Sequence, residues 1–184
     1  MRQQSSSEQG FSLIEMVVAA GILATGLLSL AGILVLGLNH LKSSSPSLIA
    51  REKAREAVES VHTARDTRVI TWAQIKNVSG GGVFVDGDQP MNKPGTDGLV
   101  NTADDATAGL EEQVSAGVDG ILGNTDDVHT PLRDFTRKIE ITNLLDAQGN
   151  VNPDLRQIRV TVRYKVGSTN WRTYTLTTYI SSYS

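Results

Sequence analysis

The stretch that decides the fold is residues 11–41, FSLIEMVVAAGILATGLLSLAGILVLGLNHL. Glu15 is its one acidic residue, and no charged side chain occurs from Met16 to Asn39. A helix needs about 20 apolar residues to cross a bilayer. The length and composition of residues 11–41 therefore predict a single transmembrane helix.

The ten residues before this stretch, MRQQSSSEQG, are polar and contain one arginine. A secretory signal has a basic start, an apolar run of roughly 7–15 residues and a small-residue cleavage site after that run. The apolar run here is longer and continues into a charged helical segment. The sequence therefore excludes a conventional secretory signal and places a short polar leader before the helix.

The junction between leader and helix, GFSLIE at residues 10–15, resembles the prepilin cleavage motif of type IV pilins and the related pseudopilins. The resemblance rests on Gly10, the following Phe11, Glu15 at the fifth position after the junction, the short leader and the long apolar helix. It implies that a membrane-embedded prepilin peptidase cuts between Gly10 and Phe11 and methylates the new N-terminal Phe11. Among pilins, the chain most resembles a PilV-type minor pilin.

Glu15 lies where a carboxylate is unfavourable, because a charged side chain inside a bilayer costs about 2.5–3.5 kcal/mol even on permissive scales. The resemblance implies that the free amine of Phe11 on a neighbouring subunit neutralises Glu15 as helices pack into a filament core. The alternative is a carboxylate near the helix end that extends to the membrane interface. We assign Glu15 to assembly.

Residues 42–68 continue as an amphipathic helical extension. Pro46 lacks an amide donor and disfavours helical geometry at the residue before it, so we predict a kink or a short break there. Beyond it, apolar side chains recur at three- and four-residue spacing and predict a packing face. That face consists of Ala54, Ala57, Val58 and Val61.

The C-terminal third predicts an antiparallel sheet. From Ile158 to Val166, apolar residues alternate with polar or basic ones, which is the pattern of a half-buried strand. GSTN at 167–170 leads into a β-rich run, 171–180, and predicts a hairpin. Residues 135–141 supply a third strand. The predicted fold is α+β, with the long helix packed on a C-terminal antiparallel sheet and a long Asp/Gly-rich loop region, 79–130, between them.

The charge of the chain is concentrated in one acidic block. The formal net charge is −3, but residues 86–127 carry ten acidic side chains and one basic one. Nucleic-acid binding needs Lys and Arg concentrated on one face, and we expect no nucleic-acid partner. An acidic block favours a cation instead.

A sequence pattern occurs twice within this block. GTDGLVNTADD at residues 95–105 recurs 22 residues later as GVDGILGNTDD at residues 117–127. Clustered Asp, Asn and Gly supply the oxygen ligands and sharp turns that calcium requires, although the spacing is not that of an EF-hand. The alternative is that the Asp-Gly pairs form turns and the Asp-Asp pairs cap or solvate them. The candidate calcium ligands are Asp97, Asp104, Asp105, Asp119, Asp126 and Asp127.

Catalytic chemistry has few candidates. The chain contains no cysteine, so a thiolate zinc site and a cysteine nucleophile are excluded. The three histidines, His40, His62 and His129, show neither metal-type nor nucleophile-type spacing. A membrane-anchored enzyme remains a rival hypothesis, but the sequence favours a protein without an active site.

These observations predict a leader at 1–10, a transmembrane and filament-core helix at 11–41, an extension at 42–68 and a globular head at 69–184 with acidic loops at 86–130. The resemblance implies a minor type IV pilin without a certain cofactor, held in the bacterial inner membrane as a single-pass precursor and then assembled into an extracellular or periplasmic filament. Its implied partners are other pilin subunits, prepilin peptidase and the pilus assembly machinery. A pseudopilin of a type II secretion system is the alternative, and adhesion or priming at a filament tip stays open.

Overall fold

The computed structural model describes residues 12–167 and 169–183, and it leaves the side chains of residues 38–44 undescribed. Helix α1 spans Leu13–Asp66. The chain divides into two compact units, one ending at Lys42 and the other beginning at Ser43. The predicted cleavage junction lies outside the described residues.

The first part of α1 is an unpartnered apolar helix. Leu13–Gly37 is long and apolar enough to cross a membrane, and none of it is buried inside the protein. Its hydroxyl groups are satisfied locally, because Thr25 and Ser29 each donate to a backbone carbonyl about one turn earlier, at 2.9 Å. Local satisfaction of polar groups is what a lipid environment demands. The predicted long apolar helix is confirmed.

The short break predicted at Pro46 is wrong, because α1 continues through this residue. The kink, which was the other possibility there, stays a prediction. A proline inside a helix removes one hydrogen bond and crowds a carbonyl of the preceding turn, which costs about 3 kcal/mol. Burial of Ala50, Ala54 and Ala57 just beyond Pro46 stabilises the helix there. Tertiary packing thus outweighs the local preference that the sequence pattern reports.

The second part of α1 packs against the sheet through small side chains. The predicted packing face is confirmed, with Ala54, Ala57 and Val61 fully buried and Val58 partly buried. The buried face also extends one turn further in each direction than predicted, to Ala50 and Ala64. These alanines belong to the same buried core as Ile158, Val160 and Val162 of the sheet.

The main sheet has four antiparallel strands, which are β1 at Gln89–Pro90, β4 at Phe135–Leu145, β5 at Val151–Val166 and β6 at Asn170–Ser181. They are ordered β1-β4-β5-β6, and β2 at Glu112–Ser115 and β3 at Val128–Pro131 form a separate sheet. Strands β4, β5 and β6 correspond to the three predicted strands, and β5 pairs with β6 along its C-terminal part as a hairpin. The apolar positions of β5, from Ile158 to Tyr164, point into the core as the alternation predicted.

The segment between helix and sheet is more ordered than the predicted loop region. It contains β1, a 3₁₀ helix at Ala103–Thr107 and a separate two-stranded sheet of β2, Glu112–Ser115, and β3, Val128–Pro131. It also supplies buried apolar side chains to the core, which are Phe84, Met91, Leu99 and Val100. These isolated residues lie among Gly, Asp and Thr, so no periodic pattern revealed them.

Candidate functional site: an N-terminal motif and two acidic loops

Glu15 lies in the first turn of α1. The backbone amides of Glu15 and Met16 donate to the Ser12 carbonyl at 3.0 and 3.2 Å, which closes the start of the helix. Glu15 is exposed, as are the apolar side chains around it. A carboxylate at a helix N-terminus interacts favourably with the helix dipole. The helix therefore presents one negative charge at the end of a wholly apolar surface.

The first acidic repeat, residues 95–105, is a loop organised by its own aspartates. One Asp105 oxygen accepts the Gly95 amide at 2.8 Å, and the other accepts the Thr102 amide at 3.2 Å. Asp104 accepts the Thr102 hydroxyl at 2.7 Å and the Asp97 amide at 3.2 Å. Each carboxylate thus joins the two ends of the repeat.

The second repeat, residues 117–127, forms the same kind of turn. The Ile121 amide donates to Asp119 at 2.8 Å, as the Leu99 amide does to Asp97 in the first copy. The Asp119 amide donates to Asp126 at 3.3 Å, which repeats the contact between the Asp97 amide and Asp104. The duplication in sequence is therefore a duplication in structure.

Glycine occupies corresponding positions of the two loops, where any larger residue would displace a carboxylate. A Cβ on Gly95 or Gly117 would lie 2.3 Å from a carboxylate oxygen of Asp104 or Asp126, respectively. The central glycine, Gly98 in one copy, adopts a left-handed φ of 70°, and its counterpart in the other adopts 72°. Backbone geometry and carboxylate placement were therefore duplicated together.

The pKa values of Asp104 and Asp105 shift in opposite directions. Hydrogen bonds from the Thr102 hydroxyl and the Asp97 amide lower the pKa of Asp104 from 3.8 to about 2. Burial raises the pKa of Asp105, although the amides of Gly95 and Thr102 oppose that effect. At neutral pH, Asp104 is therefore held firmly in its charged form.

Three carboxylates of the first repeat converge as a calcium site would require. Ligand oxygens of Asp97, Asp104 and Asp105 all lie within 4.8 Å of one another. Calcium–oxygen distances of about 2.3–2.6 Å allow two ligands of one ion to be up to about 5 Å apart. The structure thus brings these three predicted residues together. A carboxylate oxygen that accepts one hydrogen bond retains a further lone pair for a cation.

The second repeat retains a free acceptor. Asp127 Oδ1 is shielded from solvent and has no hydrogen-bond partner among the described residues, whereas Asp127 Oδ2 accepts the Gly123 amide at 2.7 Å. A shielded carboxylate oxygen without a partner is unfavourable unless a cation or a water molecule satisfies it. Asp119 and Asp126 are exposed on the same loop. The chemistry of this donor set suits a hard cation.

The two copies differ in where their apolar residues lie. Leu99 and Val100 of the first copy are buried in the core at 3% and 2% exposure. The equivalent Ile121 and Leu122 of the second copy are each 63% exposed. The second copy connects β2 to β3, and these strands pair with each other in a sheet of their own. The first loop therefore packs against the core through its apolar pair, whereas the second loop exposes the equivalent pair to solvent.

A buried charge network fixes the first repeat to the sheet, and the sequence analysis missed it. Arg137 of β4 is fully buried, donates from Nε to Asn101 Oδ1 at 2.7 Å and lies 3.4 Å from Glu111. Lys53 of α1 pairs with the other Glu111 oxygen. Burial lowers the pKa of Arg137, while the negative charge of Glu111 opposes that shift. The detectable signal was an arginine at an inward position of β4, between Phe135 and Ile139.

The described histidines form no catalytic group in the structure. His62 lies half-buried on α1, where burial lowers its pKa. His129 lies exposed on β3, with Nδ1 3.2 Å from Glu112. The side chain of His40 lies outside the described residues. The two described rings therefore sit on different elements, each in an ordinary surface setting.

Comparison with protein families gives one match. Residues 5–31 match the prokaryotic N-terminal methylation motif. No curated protein and no solved structure matches the chain. The motif indicates a precursor of the type IV pilin or pseudopilin type, a group that is structural rather than catalytic. It implies processing by prepilin peptidase and assembly with other pilin subunits, and with the apolar helix it fits a membrane-anchored precursor.

Proposed function

We propose that the chain is a minor pilin, of the PilV type, of a type IV pilus. It is cleaved after Gly10, methylated at Phe11, and assembled through the apolar part of α1. The observation that carries the proposal is the methylation motif at residues 5–31, continued by an apolar helix whose side chains are exposed on every side. Such a surface has two suitable environments, which are lipid and other apolar helices. A pilin moves between them.

Glu15 favours transfer of the helix from the bilayer to the filament. In the bilayer its charge costs about 2.5–3.5 kcal/mol. Cleavage after Gly10 creates a positive amine on Phe11, and the same amine on an adjacent subunit neutralises Glu15 within a filament. Neutralisation removes the cost that the bilayer imposes, so assembly favours the filament over the membrane. The leader must be removed first, since it blocks that amine.

Mass spectrometry of the mature N-terminus tests the processing step. We expect a chain that begins at methylated Phe11. An intact leader, or a cut at another position, would contradict the proposal.

Glu15→Gln then tests assembly, because it keeps the shape of the side chain and removes its charge. We expect this variant to be cleaved normally and to be depleted from sheared filaments, with the conservative Glu15→Asp as its matched control.

A pseudopilin of a type II secretion system shares the same motif and is the alternative. Deletion of the chain separates the two functions through their outputs. Loss of surface pili with normal protein secretion supports the pilin proposal, and loss of secretion with normal pili overturns it.

Adhesion or priming is tested in the same strain, by comparing pilus number with surface attachment. Equal pilus number with reduced attachment assigns the chain to adhesion.

We further propose that the acidic loops bind calcium. Support comes from the convergence of Asp97, Asp104 and Asp105 and from the unpartnered Asp127 Oδ1 in the second copy. The aspartate side chains would supply part of the ligand set, and backbone carbonyls and water the remainder. Calcium would then hold together loops that carry several negative charges at close range.

Calorimetric titration of the full chain in detergent, with CaCl₂ and with MgCl₂, tests calcium binding. We expect millimolar or tighter binding of calcium in preference to magnesium, with calcium-dependent protection of the loops from proteolysis. Replacing Asp126 and Asp127 with Asn should remove the contribution of the second loop without disturbing the core. Asp146→Asn is the control, because Asp146 is an acidic turn residue outside both repeats. Absence of heat and of protection would end the proposal.

A further inference from the structure

The second acidic repeat exposes apolar side chains that its twin buries. Ile121 and Leu122 are each 63% exposed, whereas their counterparts Leu99 and Val100 lie in the core. Val118, whose counterpart is the polar Thr96, is also fully exposed. Burying such side chains removes apolar surface from water and therefore favours association. The loop that carries them is held by its own hydrogen bonds. It therefore presents a small, preorganised apolar surface beside three aspartates.

A groove elsewhere on the same unit has the complementary character. It lies between α1 and β6, has a volume of about 450 Å³ and is lined mainly by apolar surface. Leu48 of its lining is 67% exposed, and Tyr174 and Leu176 are partly buried. Its lining residues are Leu48, Arg51, Glu52, Arg55, Tyr174 and Leu176.

The groove carries two arginines and one glutamate, Glu52, so its net charge is positive, whereas the loop is negative. Arg51 and Arg55 are exposed at the groove, and neither pairs with a carboxylate within the part of the chain that the structure describes. The Arg51 guanidinium instead lies 5.7 Å from the centroid of the Tyr174 ring. On the loop, no Lys or Arg among the described residues pairs with Asp119 or Asp126, and the three aspartates of the repeat leave it negative even with one calcium ion bound. Facing surfaces of opposite charge select one another and suppress wrong partners.

We propose that the second acidic loop of one molecule docks into the groove between α1 and β6 of a second copy of this chain. Ile121 and Leu122 cover Leu48 and Leu176, and the loop aspartates face Arg51 and Arg55. The contact joins two different surfaces, so it is heterologous and differs from the self-complementary contact of a two-fold dimer. It deepens the proposed assembly function and rests on it for its setting.

Disulfide crosslinking in the full chain tests this contact cleanly, because the chain contains no cysteine. Two differently tagged full-length copies are co-expressed, one with Leu122→Cys and the other with Leu48→Cys, and membranes are oxidised before a non-reducing gel. We expect a product that carries both tags. The matched control replaces Leu48→Cys with Thr177→Cys, an exposed position on the outer face of β6, and should give no such product.

Charge reversal at the groove tests the electrostatic part. Arg51→Glu together with Arg55→Glu in the Leu48→Cys copy should abolish the product while leaving membrane abundance unchanged. Three outcomes would each overturn the contact. They are equal product from the Thr177 and Leu48 pairs, no product from either pair, and crosslinking of Leu122→Cys to another protein alone. The N-terminus of the same sample is sequenced. A processed Phe11 without crosslink rejects the contact alone, and a crosslink with an intact leader rejects the proposed function alone.

Discussion

Arg137 shows how one residue determines the position of a whole loop. Its guanidinium is fully buried and holds Asn101, from the first acidic repeat, and Glu111, which precedes β2. Burying a charge requires a partner, and removing one partner leaves the other charge uncompensated. The network therefore resists any displacement of the repeat from the sheet.

Arg137→Ala is expected to destabilise the protein by about 3 kcal/mol, because Asn101 and Glu111 lose the buried guanidinium and only Lys53 then pairs with Glu111. Thermal unfolding of the full chain in detergent, followed by circular dichroism, measures the loss. Arg159→Ala is the control, since Arg159 lies exposed on the neighbouring strand and should change stability by less than about 0.5 kcal/mol. Equal effects of the two substitutions would contradict the assigned role of the network.

Asp104 predicts a specific response to acid. Its pKa is about 2 in the folded chain, below its ordinary value of 3.8. Because the folded pKa is the lower one, the stabilisation is present above about pH 4 and is lost as pH falls towards 2. Asp104→Asn removes this titration, so its melting temperature should fall less steeply than that of the wild type across this window. Parallel curves for the two proteins would exclude Asp104 as a source of acid sensitivity.

At the scale of elements, the two acidic repeats allow the effect of burial to be compared between loops of similar geometry. They share a loop geometry, yet one inserts its apolar pair into the core and the other projects it into solvent. Leu99→Ala should cost about 2–5 kcal/mol, the usual range for a buried leucine. Ile121→Ala, at the equivalent position, should cost less than about 0.5 kcal/mol. Denaturant unfolding of both variants provides the comparison, and similar losses would show that the second loop is not free.

The elements differ in how far their sequence revealed them. The strands around Ile158 and Phe135 followed from alternation, and the helix face at Ala54 followed from its spacing, because each pattern reports a long buried surface. The break predicted at Pro46 does not occur, because packing further along α1 outweighs the local backbone preference of proline. The burial of Leu99 and the network at Arg137 depend on contacts between residues far apart in the chain, which no local pattern encodes.

The acidic loops illustrate the same division within the candidate site. The duplicated pattern revealed both sets of aspartates, and the hydrogen bonds of Asp97 and Asp119 confirm that the loops repeat in structure. The sequence could not reveal that Asp105 lies buried while its counterpart Asp127 is only half-buried, because burial depends on whether a loop meets the sheet. Similar chemistry was therefore placed in two different environments.

For the whole molecule, the boundary near Lys42 separates two kinds of surface. The unit beginning at Ser43 contains all the buried apolar side chains of the described core, from Ala50 onwards, and the sheet with its network. The apolar surface of Leu13–Gly37 is exposed throughout and contributes nothing to that core. The stability of the head should therefore not depend on the membrane helix.

Deleting residues 1–42 tests this independence. We expect a soluble fragment that retains the β-sheet signal in circular dichroism and unfolds in one cooperative transition, because no buried contact of the core is removed. The full chain should fractionate with membranes in the same cells, which is the matched control for the role of Leu13–Gly37. A fragment that aggregates, or that unfolds without a cooperative transition, would mean that the N-terminal helix stabilises the head.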